Sequence, residues 1–216
     1  MRFGVLGTGM VGQALAGKLV ELGHEVTMGA REAGSEKAVA WAQAAGERAH
    51  EGSFADAARF GEMLVNATAG TASLDALRMA GADALAGKVL IDVANPLVFG
   101  NGLPTLSVSN DDSLGEQIQR AFPDARVVKA LNTVNASVMV TPGDLPDGHN
   151  IFVCGNDDDA KREVAALLED FGWPAGDIVD LGDISAARGT EMYLPLWLRM
   201  MGATGTAQFN IRIVRG

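Results

Sequence analysis

The stretch Arg2-Phe3-Gly4-Val5-Leu6-Gly7-Thr8-Gly9-Met10-Val11-Gly12 opens the chain and governs how the rest is read. Arg2–Leu6 is a short apolar run of the kind that forms a buried strand. Met10–Leu22 carries apolar residues at helical spacing (Val11, Leu15, Leu19, Leu22) and stops at Gly23. Between them lies the pattern G-x-G-x-x-G. At such a junction Gly7 permits the tight turn, Gly9 lets a pyrophosphate approach the backbone, and Gly12 lets the helix pack closely on the sheet. The helix N-terminus then offers free N–H groups and a partial positive charge to the phosphates. Strand, glycines and helix together predict a dinucleotide site at Gly7–Gly12.

The adjacent position to inspect is the end of the second strand, Glu25–Met28, where the adenosine ribose belongs. Sites for NAD place an acid there to bind the ribose hydroxyls. Here the chain reads Met28-Gly29-Ala30-Arg31. Arginine suits the extra 2′-phosphate of NADP, because guanidinium binds phosphate through paired, charge-assisted hydrogen bonds. Ser35 and Lys37 are close enough in sequence to assist, while Glu32 is the acid that a one-residue shift would bring in. The expectation is NADP rather than NAD.

Further strands are expected at Met63–Ala67, Lys88–Val93, Arg126–Leu131, Ile151–Cys154 and Asp177–Leu181. Helices are expected at Glu36–Ala45, about Ser73–Ala80, Asp112–Ala121 and Asp157–Phe171. Short apolar strands alternating with helices predict an α/β fold, a Rossmann-type doubly wound parallel sheet. Residues 1–182 form the nucleotide-binding domain and 183–216 a small helical C-terminal cap, with a helix over Glu191–Met201 and a final strand at Gln208–Val214. The loop Asn95–Asp111 is long enough to suggest a functional role.

The formal net charge of −10 argues against nucleic acid as a partner. From Ile184 onward, Arg188, Arg199, Arg212 and Arg215 outnumber Glu191 for a local balance of +3, which leaves −13 elsewhere. That asymmetry fits either an anion near the cap or a cap docked on acidic surface. No signal peptide or membrane span is visible, so the expected setting is cytoplasmic, without membrane contact. The single cysteine, Cys154, reads as a small buried strand residue. Asp157-Asp158-Asp159 reads as the first turn of a helix. His24, His50 and His149 lack metal-ligand spacing, so no metal is expected. The cluster Tyr193, Leu194, Leu196, Trp197, Met200 and Met201 is too apolar for one exposed helix, which predicts a homodimer joined through the cap. Burial within the same subunit is the alternative.

These segments resemble the F420-dependent NADP oxidoreductases. The resemblance rests on Met1–Arg31 with Leu22-Gly23-His24-Glu25-Val26, on Asn95-Pro96-Leu97, and on Val128-Lys129-Ala130-Leu131-Asn132-Thr133. Cys154-Gly155-Asn156-Asp157-Asp158 and the Leu194–Met201 helix extend it, and it runs through nearly the whole chain. Related domains occur in membrane metalloreductases. The resemblance implies that Thr8–Val11 contact the pyrophosphate and that Ala30, Arg31 and Lys37 surround the 2′-phosphate. Asn66, Ala67, Thr68 and Ala69 would line the nucleotide. Asn95, Pro96 and Leu97, with Ala130, Asn132, Thr133, Val134 and Asn135, would border the nicotinamide and coenzyme F420 or a flavin. Ala30 stands where a serine or threonine is usual, and Asn132 where histidine also occurs. The implied activity is hydride transfer between NADP(H) and a deazaflavin or flavin-like small-molecule redox partner. Arg188 or Arg199 would meet the phosphate and acidic tail of the deazaflavin coenzyme. The two rings carry the chemistry, so no catalytic acid or base is expected. A non-enzymatic NADP-binding redox sensor, or a dehydrogenase of small substrates, are the alternatives.

Overall fold

A computed structural model describes residues 1–216. Its main sheet has eight strands. In chain order they are β1 (Arg2–Leu6), β2 (Glu25–Ala30), β3 (Ala49–Ser53), β4 (Met63–Asn66) and β5 (Val89–Asp92), followed, after a small hairpin of β6 (Leu97–Val98) and β7 (Thr105–Leu106), by β8 (Arg126–Ala130), β9 (Ile151–Gly155) and β10 (Ile178–Asp180). The spatial order is β10-β9-β8-β5-β4-β1-β2-β3. The topological switch falls between β1 and β4, where the nucleotide crevice of a doubly wound sheet belongs.

Both faces of the sheet are covered, which is why the strands read as unbroken apolar runs. Alternate residues serve opposite layers. Phe3, Val5, Met63, Val65, Val89 and Ile91 pack into one core with helices α1 (Met10–Glu21), α2 (Glu36–Ala45), α7 (Ala136–Val140) and α8 (Asp158–Asp170). Leu64, Leu90, Val127 and Cys154 pack into the other. The helices of that second layer are α3 (Phe54–Phe60), α4 (Ser73–Ala80), α5 (Ala82–Leu85) and α6 (Leu114–Ala121). Cys154 is buried there, and burial pushes its thiol up to about 12.

Several expectations are corrected. The sheet is not wholly parallel, because β9 runs antiparallel to β8 and carries β10 with it. β3 and α3 were not expected; Ser53 and Asp56 close a reciprocal capping box at the start of α3. Beyond Gly182 the chain forms α9 (Ala187–Met192) and α10 (Leu194–Thr204) rather than one helix. Pro195, in the first turn of α10, has no N–H to continue α9. Gln208–Val214 is not a strand; it lies as an extended tail held by Asn150, whose N–H donates to Ile211 O and whose side chain accepts from Ile213 N. The remaining run Asn95–Asp111 is loop apart from its two-stranded hairpin.

The cap has no core separate from the sheet: Ile184 and Ala187 belong to the second layer. Leu194 is buried in its own subunit, whereas Leu196 is exposed. Asp157 caps α8 by accepting from Ala160 N. No group of three His, Cys, Asp or Glu side chains is placed to hold a metal ion, and no helix is long and apolar enough to cross a membrane.

Candidate functional site

Two cavities open at the carboxyl edge of the sheet, on either side of the loop after β4. Ala67, Thr68 and Ala69 line both. The first, about 840 Å³, is bounded by Gly7, Thr8 and Gly9, by Ala30–Ser35, and by Phe54, Asp75 and Met79. It runs from the N-terminus of α1 to the end of β2, where a dinucleotide's pyrophosphate and adenosine ribose belong.

Each part of this groove has a local cause. A Cβ on Gly12 would lie 2.2 Å from Gly7 O, so glycine is what lets α1 rest on the turn. Gln13 Nε2 donates to Thr8 O at 3.0 Å and fixes the turn against the helix. A Cβ on Gly9, by contrast, would meet no protein atom within 4 Å. That open cradle beside the unpaired N–H groups of the first turn fits a phosphate. At the other end, Glu51 of β3 accepts from Gly34 N at 2.7 Å and holds the loop that presents Arg31. Ser35 caps α2 without using its side chain, which leaves its hydroxyl available beside Arg31. Arg31 lines the groove, is exposed and forms no ion pair within the chain. The residues present therefore fit NADP.

The second cavity, about 870 Å³, lies across the loop. Its walls include Met10, Val11, Asn95, Leu97, Phe99, Asn132, Thr133, Met139, Leu194, Trp197 and Met201, and none of its lining side chains is charged. Met10 and Phe99 are 79% and 77% exposed at its mouth. Asn95 and Asn132 clamp its floor: Asn95 Nδ2 donates to Asn132 O at 2.8 Å and Asn132 Nδ2 donates to Asn95 Oδ1 at 3.0 Å. Leu131, buried at the end of β8, adopts φ 63°, a left-handed conformation that a branched side chain rarely takes and that turns the chain into this clamp. On the cap side, Trp197 stacks on Phe209 with ring centroids 5.3 Å apart, and Gln208 Nε2 donates to Ser137 Oγ at 2.7 Å.

The expected site residues divide by what they touch. Gly7, Thr8, Gly9, Ala30 and Arg31 line the first cavity; Met10, Val11, Asn95, Leu97, Asn132 and Thr133 line the second. Gly12, Asn66, Pro96, Lys37 and Ala130 line neither. Lys37 is exposed in the first turn of α2, and Ala130 is fully buried inside β8. Asn66 acts through Thr68: its Oδ1 accepts from Thr68 Oγ1 at 2.7 Å while its Nδ2 donates to Asp92 Oδ1 at 2.8 Å. Neither Arg188 nor Arg199 reaches the second cavity. Arg188 is bound bidentately to Glu116, at 2.6 and 2.9 Å, so its role is to dock the cap.

Sequence reasoning missed the group beneath the floor. Lys129 Nζ lies 2.8 Å from both Asp92 and Glu191 and 2.5 Å from Ala94 O, with all three charged side chains buried. Glu191 also accepts from Leu114 N and Gly115 N at the start of α6. Burial alone would lower the Lys129 pKa, but the two carboxylates outweigh it and hold the ammonium above its ordinary range. A continuous chain of polar contacts thus runs from α9 through Lys129, Asp92 and Asn66 to Thr68. The only sequence signal was a lysine inside an apolar strand.

The sequence profile of the family described as NADP oxidoreductase, coenzyme F420-dependent, matches residues 2–96. The crystal structure of a candidate F420-dependent NADP-reductase from Arthrobacter sp. FB24 is 52% identical, with TM-score 0.93 and both chains fully covered. The F420-dependent NADP reductase of Methanocaldococcus jannaschii is 29% identical over 65% of this chain and 62% of its own length. Metalloreductase STEAP3 of Rattus norvegicus is 28% identical over 91% of this chain and 38% of its own. The chain therefore spans less than two thirds of these curated relatives. With the dinucleotide groove, the neutral second cavity and full-length similarity to a solved relative in agreement, this chain belongs to the F420-dependent NADP oxidoreductases, a family of NADP-linked oxidoreductases.

Proposed function

We propose that the protein transfers hydride between NADP(H) and a deazaflavin, coenzyme F420, or a related flavin ring. One observation carries the reading: the second cavity adjoins the nucleotide groove through a shared loop, is walled by apolar and neutral side chains, and encloses about 870 Å³. When bound, the nicotinamide supplies the hydride. The chain's part is to hold two rings face to face and exclude water. Gly7–Gly9 and the first turn of α1 bind phosphate, Arg31 and Ser35 bind at the ribose, and Ala67–Ala69 separate the two compartments. The Asn95–Asn132 clamp fixes the floor beneath the rings. The anionic tail of the coenzyme finds no basic side chain in the cavity walls and would extend outward past Phe99.

NADPH deuterated at the nicotinamide, mixed rapidly with the protein and oxidised coenzyme, is expected to deliver its label to the deazaflavin ring without exchange into water. Loss of the label to solvent would exclude direct transfer. NADPH binding with no transfer to deazaflavin or flavin would favour a nucleotide-sensing role.

The nucleotide preference has its own test. Arg31→Ala is expected to weaken NADPH about tenfold or more while leaving NADH nearly unchanged, because a hydrogen bond to a charged group is worth roughly 1.5–3 kcal/mol. Fluorescence titration with both nucleotides reads this directly, and equal losses would remove Arg31 from the 2′-phosphate site.

A further inference from the structure

The first cavity has an acid behind its wall that its own chemistry does not call for. Arg31, Ser35 and the open cradle at Gly9 suit a nucleotide with a 2′-phosphate, and a carboxylate opposes the charge of a phosphate brought near it. Yet Glu51 stands on β3, the edge strand beside β2, and its Oε2 accepts from the N–H of Gly34 at 2.7 Å. Glu51 does not line the cavity, whereas Gly34 does.

The loop has little else to hold it. Arg31, Glu32, Ala33 and Gly34 are all exposed. Among their backbone and side-chain groups, the Gly34 N–H alone forms a hydrogen bond within the protein. Gly34 has φ 77°, a left-handed conformation that glycine adopts freely, so the chain folds back there before it enters α2. Glu51, by contrast, is fixed. The β2–β3 ladder sets it opposite Met28, and Ala49, on the same face of β3, is buried in the first core layer with Trp41 of α2. The donor thus belongs to a loop and the acceptor to a packed strand, and one charge-assisted bond joins them.

We propose that Glu51 is a positioning residue for nucleotide choice: by anchoring Gly34 it keeps the Arg31–Ser35 loop in the arrangement that receives the 2′-phosphate. The assignment rests on reading the first cavity as the NADP groove. An unanchored loop samples other arrangements, and apparent affinity falls in proportion to the competent fraction. NADH has no 2′-phosphate, so its affinity depends less on this loop. An acid thereby favours the more negatively charged nucleotide, through geometry and against its own charge.

Charge and anchorage make opposite predictions at this residue. Glu51→Gln removes the charge and keeps a carbonyl oxygen that accepts from Gly34 N. Glu51→Ala removes both. Dissociation constants for NADPH and NADH are measured by fluorescence titration, and Tm by calorimetry, on the wild type and both variants. Glu51→Gln is expected to keep the preference for NADPH over NADH or to raise it slightly. Glu51→Ala is expected to weaken NADPH about threefold to tenfold and leave NADH nearly unchanged. Its Tm should fall by no more than about 3 °C. Without nucleotide, the Gly34 amide should exchange its hydrogen more slowly in the wild type and in Glu51→Gln than in Glu51→Ala. Equal changes in the two variants, or none, would overturn the assignment, as would one exchange rate in all three proteins. Equal losses of NADPH and NADH in Glu51→Ala would reduce Glu51 to a general support of the groove. Each of these results leaves a wild-type preference for NADPH standing. A wild-type protein without that preference would overturn the reading of the groove at Arg31, and the assignment with it.

Discussion

Gly9→Ala is expected to melt at the wild-type temperature and to lose NADPH affinity by about a hundredfold or more. The protein itself does not require glycine there. Its φ of −77° is open to any residue, and an added Cβ would touch nothing within 4 Å. The requirement comes from the ligand, since a methyl group would stand where the pyrophosphate reaches the free N–H groups of α1. Displacing two charge-assisted hydrogen bonds, each worth roughly 1.5–3 kcal/mol, gives the magnitude. Gly12→Ala should behave differently. Its Cβ would meet Gly7 O at 2.2 Å, a backbone atom that cannot swing aside, so stability itself should fall by about 1–3 kcal/mol or more. Thermal melts and NADPH fluorescence titrations on both variants separate the two roles. Wild-type affinity in Gly9→Ala would move the phosphate site away from this turn.

The second large effect is on stability. Lys129→Met keeps much of the side chain's volume and leaves Asp92 and Glu191 facing each other in the second core layer with no cation. Removing one partner of a buried ion pair costs about 3–5 kcal/mol, which for a chain of this size lowers Tm on the order of 10 °C. Arg78→Ala, which breaks the exposed Arg78–Asp75 pair, should change Tm little. Adding Asp92→Asn to Lys129→Met removes one orphaned charge and should recover part of the loss. Calorimetry on the four proteins checks the set, and a near-neutral Lys129→Met would mean that the cluster relaxes to admit water.

Much of this was legible in sequence wherever one residue type answers to one physical demand. The glycines at 7 and 12 shape the turn beneath α1, and Gly9 and Arg31 line the first cavity, because turn geometry is local. The strands of the sheet centre were legible because burial on both faces leaves them unbroken and apolar. β3 was not, since Ala49-His50-Glu51-Gly52-Ser53 is an edge strand with little apolar content. α3 was too short for periodicity to register, although Ser53-x-x-Asp56 was a start signal. The reversal of β9 had no local signature, because strand direction is decided by partners far away in sequence. The Lys129 cluster joins three residues whose separations, 37 and 62 positions, carry no pattern. Asn66, expected at the nucleotide, lies behind the wall and holds Thr68, which lines both cavities.

The reversal of β9 has an effect beyond strand order. Were β9 parallel to β8, the chain would have to return along one face of the sheet to the opposite edge, and most of the intervening residues would serve as a crossover. Running antiparallel, β9 begins at the same edge where β8 ends. The connection, Leu131–Asn150, therefore stays beside the cavity, supplying the Asn132 clamp and α7, whose Val138 and Met139 also pack into the first core layer. The reversal thus brings one span to both the core and the wall of the second cavity, so a substitution in α7 reshapes the two together.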